Sequence, residues 1–325
     1  MVRFILRHIS FRGSFLRALQ FLAAIILMTG TTSCFTGVEG TKKITLTKDE
    51  RKQIQPSPEE EFFQPIAGTP LSAWQPGREF IAADNKTLLI FDQQGMPLDP
   101  EAVALAGKTL TYQGVTTRLT PDGSEECVLI FSDGNSIFRY NTGKSKSEAP
   151  GNIYSDQIPM MIDVAMVDAT RELLKGKQLW TRSPLWYDEK GNRIPGRKYV
   201  PVTITDVHPG TIVFPVSVSF VDSDGNNALV FMNFGNSGKE SRSFANLFYL
   251  SDFRQKYPGI TDEVWQLICD SNVKTGMTKI ECKLALGNPS EVDTGHDYSQ
   301  TLDLWHYPDG AVLWFEDGLL TRFRR

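Results

Sequence analysis

Val216, Val218 and Phe220 alternate with Ser217 and Ser219, and Val200, Val202 and Ile204 alternate with Pro201 and Thr203. An apolar residue at every second position is the period of a strand with one face buried. Ala228 to Phe234 is continuously apolar apart from Asn233, as a central strand would be. Helical spacing occurs between these runs. Ile162, Met166, Ala169 and Leu173 form one stripe that Gly176 ends, and Asp99-Pro100 supplies an N-cap and first-turn pair for a short helix through Ala106. The pattern predicts short helices set against small antiparallel sheets.

Gly107-Lys108-Thr109-Leu110 and Gly176-Lys177-Gln178-Leu179 lie 69 residues apart, each after a helical segment and ahead of strand-like runs. Each block later reaches Asp-Gly-Asn, at 133–135 and at 224–226. A degenerate duplication explains both coincidences; chance similarity of turn-rich segments is the alternative. Residues 66–155 and 156–258 are read as two β-rich modules.

The last part of the chain is more sharply bracketed. Thr278 and Glu281 form a capping box, Met277 and Cys282 stand at the staple positions, and Gly287-Asn288-Pro289 predicts a left-handed C-cap. Upstream, Thr261 caps a second helix whose Val264, Leu267 and Ile268 share a face. A polar link then runs to Ser299. Three apolar segments follow, Leu302–Tyr307, Ala311–Phe315 and Leu319–Phe323, separated by turns that carry Asp-Gly. Residues 259–325 are therefore expected to form two helices and a three-stranded meander. The fold class is α+β, with an ααβββ domain after two antiparallel β-rich modules.

The wording Gly276-Met277-Thr278, Leu286-Gly287-Asn288-Pro289, Leu304-Trp305-His306-Tyr307 and Phe315-Glu316-Asp317-Gly318-Leu319 resembles the SmpA/OmlA (BamE-like) lipoprotein family, over Ile260 to Arg325. The resemblance implies a non-catalytic binding scaffold of the bacterial envelope that contacts outer-membrane assembly partners. The chain departs from that family by carrying some two hundred further residues ahead of the domain.

Residues 1–33 hold Arg3, Arg7, Arg12 and Arg17, no acid, and an apolar stretch from Ala18 to Met28. This reads as a signal peptide, since the stretch is too short for a spanning helix. Thr31-Thr32-Ser33-Cys34 resembles a lipoprotein cleavage site, although an aliphatic residue is usual where Thr31 stands. Lipid on Cys34 would hold the chain to a membrane, with the outer membrane as the expected address and plain secretion as the alternative. Residues 34–65, rich in Thr, Lys, Glu and Pro, read as a flexible tether. Removing residues 1–33 takes the net charge from −4 to −8, which argues against a nucleic-acid partner. An envelope protein partner is expected.

The search for chemistry yields no catalytic constellation, metal site or cofactor site. Gly107-Lys108-Thr109 and Gly143-Lys144-Ser145 lack the earlier glycine of a phosphate loop, and Asp222-Ser223-Asp224-Gly225-Asn226 lacks the glycine and glutamate of a calcium loop. Trp180, Trp186 and Tyr187 either stack on a glycan or peptide or belong to the core. His296, Asp297 and Tyr298 either contact a partner or stabilise their own loop. Cys269 and Cys282 fall on the two C-terminal helices, where they either bridge or remain as two buried thiols, while Cys127 is expected in a core strand.

Overall fold

The computed structural model describes residues 55–92, 104–235, 241–297 and 300–325. The chain separates into two units, Met1–Gln55 and Pro56–Arg325. The described residues of the second are α+β, with three antiparallel sheets and short helices. Among the described residues no helix is long and apolar enough to cross a membrane. Cys34 and Tyr298 lie outside the described residues, as do the side chains of His296 and Asp297.

The unit opens with helix α1 (Pro58–Phe63), capped by a reciprocal Ser57/Glu60 box. Phe63 is fully buried, and its ring lies parallel to that of Phe244 at 5.2 Å. The end of the expected tether is thus ordered. Its acids occupy the first turn, where they favour a helix, and one aromatic residue anchors it.

The first sheet contains β1 (Glu79–Ala82), β2 (Thr109–Leu119), β3 (Glu125–Ser132), β4 (Ile137–Ser145) and β5 (Met161–Asp163), in the order β4-β3-β2-β1-β5. Asp133 folds its Oδ1 onto the N–H groups of Asn135 and Ser136, which closes the β3–β4 hairpin. Phe80, Leu110, Leu129, Phe131 and Phe138 form its core, joined by Cys127. The helix expected over 100–106 is not seen where the chain is described: residues 104–106 are non-helical, and 99–103 lie outside the described residues. Gly107, at φ +77°, instead turns the chain directly into β2.

After α2 (Ala149–Asn152) comes α3 (Val164–Leu174). Its buried face is Met166, Val167, Thr170 and Leu174; Ala169 and Leu173 are only partly buried, and Ile162 lies in β5. The face is rotated from the expected stripe because Thr170 can be buried, its hydroxyl donating to the Met166 carbonyl. Asp163 caps the helix and is fully buried against Arg78. The second sheet contains β6 (Gln178–Thr181), β7 (Leu185–Tyr187), β8 (Arg193–Pro195), β9 (Pro201–Pro209), β10 (Val216–Asp222), β11 (Asn227–Met232) and β12 (Phe248–Tyr249). Its order is β12-β6-β9-β10-β11-β7-β8, and helix α4 (Phe244–Leu247) precedes β12. Gly176-Lys177 leads into β6 as Gly107-Lys108 leads into β2, and the second Asp-Gly-Asn forms the β10–β11 turn.

The C-terminal elements are α5 (Asp262–Cys269), α6 (Lys279–Leu286), β13 (Glu291–Asp297), β14 (Gln300–His306), β15 (Val312–Glu316) and β16 (Leu319–Arg324). Thr261 and the Thr278/Glu281 box cap the two helices as expected, and the staple pair Met277 and Cys282 is buried. The sheet has four strands rather than three, because the polar link pairs along β14 as β13. An exposed edge strand needs no apolar face, so hydrophobic periodicity does not reveal it. Gly287 has φ +88° but an extended ψ, so the left-handed cap is absent; the carbonyls of Leu284 and Ala285 accept from the Lys198 side chain instead. A single apolar core runs from Phe63 through α3 and the second sheet to Trp265, Cys282, Leu313 and Phe315.

Candidate functional site: two clefts sharing Tyr199

Arg197, Lys198 and Tyr199, which enter β9, clamp both C-terminal helices. Arg197 Nε donates to Asp270 Oδ1 at 2.8 Å, and the Lys198 N–H donates to the Cys269 carbonyl at 2.9 Å. Lys198 Nζ then donates to the Leu284 carbonyl at 2.7 Å and to that of Ala285. These are end carbonyls of α6, which a helix leaves without internal partners. A buried ammonium at a helix C-terminus also meets the negative end of the dipole. Burial pushes the Lys198 ammonium down to about 8. A lysine so shifted invites a nucleophilic reading, but two of its ammonium hydrogens are given to backbone oxygens at the end of α6, which makes it a cap.

Tyr199 holds φ +57°, a left-handed backbone that a bulky side chain adopts at a cost. Its ring is stacked with Phe253 at 4.9 Å and packed against Tyr249 and Trp265. Burial raises the Tyr199 hydroxyl well above the usual tyrosine range. Tyr199 lines a cleft of about 560 Å³ that includes Trp180, Arg197, Asp224, Arg254 and Trp265. It also lines one of about 610 Å³ whose walls include Arg182, Tyr249, Ser271, Lys283, Tyr307 and Asp309.

The ordering of α5 explains Ser271. The Ser271 N–H donates to the Ile268 carbonyl and the Asn272 N–H to that of Leu267, the paired bonds of a Schellman motif. The position that glycine usually fills holds Ser271, at φ +55°. Its Oγ is buried without a hydrogen-bond partner among the described residues. No glycine signalled this helix end in the sequence, and the Arg-Lys-Tyr clamp carries no motif at all.

The aromatic trio is not brought together. Trp186 is core, packed edge-on to Phe220, and Gly196 must lack a side chain because a Cβ there would lie 2.5 Å from Trp186 Cγ. Tyr187 packs against Phe231, and its hydroxyl accepts from Arg242 Nη2 at 2.6 Å. Of the three, Trp180 alone lines either of these two clefts, and the other two rings pack on different partners, so the trio forms no single stacking platform. His306 lies 3.4 Å from Asp293 at the half-exposed end of β14. Cys127, Cys269 and Cys282 are free, buried thiols, so the two helices pack without a bridge. Burial pushes Cys269 up to about 11 and Cys282 up to about 12.

The Asp222 carboxylate accepts from the N–H groups of Asp224 and Asn226, which makes the would-be calcium loop a hairpin turn. Among the described residues no group of three or more His, Cys, Asp or Glu could hold a metal ion. A scan against protein-family models finds no match, and neither curated proteins nor solved structures yield one.

Proposed function

We propose that the chain is a lipid-anchored protein of the bacterial envelope that works by binding another protein, as a scaffold or assembly factor without a reaction of its own. The observation that carries this reading is the larger cleft beside Tyr199. It is concave and polar, and several of its chemically capable groups are committed to the backbone. Lys198 caps α6, the Tyr307 hydroxyl donates to the Gly287 carbonyl at 3.3 Å, and Asp309 Oδ1 accepts from the Ala311 N–H at 3.1 Å. Such a surface is shaped to hold a partner rather than to move protons. Two capped helices followed by a sheet over 262–324 also suit the BamE-like resemblance, with β13 as an additional strand.

A glycan or peptide reader is the second reading, favoured by the half-exposed Trp180 beside Arg197 and Asp224 in the smaller cleft. Affinity capture from envelope membranes separates the two. The scaffold reading expects a reproducible protein partner, and an isolated monomer that captures none would contradict it. Fatty-acid labelling should require Cys34; undiminished labelling of Cys34→Ala would remove the anchor from the proposal.

A further inference from the structure

The larger cleft is basic on an acidic chain. Arg182, Lys198, Lys283 and Arg325 face a single acid there, Asp309, although the whole chain has 38 acids to 34 bases. None of the four cations forms an ion pair among the described residues. Arg182 Nη1 donates to the Ala245 carbonyl at 2.6 Å, and Lys283 Nζ sits 5.3 Å from the centre of the Trp305 ring. Arg325 donates to the Ser271 carbonyl and to Asn272 Oδ1. Neutral partners of this kind orient a cation without cancelling its charge. The negative end of α6 offsets only about half a unit of it.

The same walls carry two of the five non-glycine residues held at positive φ among the described residues, Tyr199 and Ser271. At the Schellman position glycine would be free of strain, whereas a residue with a Cβ costs about 1 kcal/mol or more. The turn at Ser271 closes the Schellman pair and places its carbonyl to accept from Arg325, which holds that cation at the wall.

The rings narrow the class of ligand. A sugar stacks on a free aromatic face, but Tyr199 and Tyr249 are each stacked with Phe253, and Arg182 covers Tyr249. A lone phosphate needs donors converging on one point, whereas Arg182 is tied to α4 and Lys283 to the Trp305 ring of β14. Cations anchored on different elements around a cleft of about 610 Å³ match charges spaced along a chain.

We propose that this cleft binds an extended acidic stretch of polypeptide, with carboxylates at Arg182 and Lys283. The inference rests on the protein-binding reading and specifies its partner's chemistry. The test is a fluorescence titration of the full-length protein in detergent with hexaglutamate, with hexaglutamine, oligogalacturonate and inorganic phosphate as comparisons. Hexaglutamate should bind saturably and hexaglutamine should not. The exposed Lys283→Gln variant and the Arg182→Gln/Lys283→Gln double variant should weaken binding, the double variant by about tenfold.

Absent hexaglutamate binding, or equal binding by wild type and Lys283→Gln, would overturn the proposal. So would tighter binding of oligogalacturonate, which marks an acidic-sugar site, or of phosphate, which marks a point-anion site. Loss of peptide binding in a protein that still captures an envelope partner removes this inference alone. Peptide binding without any captured partner removes the scaffold reading alone.

Discussion

Lys198 is where the cost of burial and the need of the backbone meet. Its ammonium is taken from water, which disfavours the charge, and in return two end carbonyls of α6 are satisfied. A buried acceptor left unpaired costs roughly 1–3 kcal/mol, so Lys198→Met should destabilise the protein by about that amount, read as a lower urea midpoint. An unchanged or higher midpoint would mean that desolvation outweighs the two bonds. The residue was invisible as a cap in the sequence, because its partners lie 86 and 87 positions away. Local capping was legible for the opposite reason: Thr261 and Thr278 are read from their own neighbours, and both caps are observed.

Among elements, those whose partners are close in sequence were the readable ones. The Asp-Gly turns, the α5–α6 pair and strands β14 to β16 follow from capping, apolar runs and turn chemistry. β13 was missed because an exposed edge strand shows no apolar periodicity, and the buried face of α3 because Thr170 hides its hydroxyl within the helix. Helix α1 looks like tether in the sequence because its anchor, Phe63, gains meaning only beside Phe244, far along the chain. Phe63→Ala should cost about 3–5 kcal/mol, as removal of a buried ring does, and should raise protease sensitivity ahead of Pro65. Stability equal to wild type would return this segment to a tether. The clefts could not be read at all, since their walls come from β6, the start of β9, both C-terminal helices and the turn after β14.

At the scale of the molecule, the core continuous from Phe63 to Leu320 ties the second sheet to the C-terminal helices. Its titrating groups predict how the unit responds to alkali. Cys269 and Cys282 keep their protons up to about 11 and about 12 in the folded state, whereas unfolded thiols release theirs near 8.5. The folded chain therefore binds more protons above pH 8.5, and its stability falls as pH rises. Burial of Tyr199 and Tyr307, whose hydroxyls are also raised, extends the fall beyond pH 10. Lys198 acts in the opposite sense, releasing its proton at about 8 when folded and near 10.4 when unfolded, but it is one group against four. Urea midpoints measured from pH 7 to 10.5 should decline above 8.5, and more steeply in Lys198→Met; a rise across that range would contradict this balance.

The most direct measurement for the account as a whole is photo-crosslinking in envelope membranes, with a photoreactive residue at Asn288 on the wall of the larger cleft. A crosslink to a polypeptide is expected, competed away by hexaglutamate and diminished by Lys283→Gln. Crosslinks to lipid or glycan alone, or a protein adduct indifferent to both the competitor and the substitution, would contradict it.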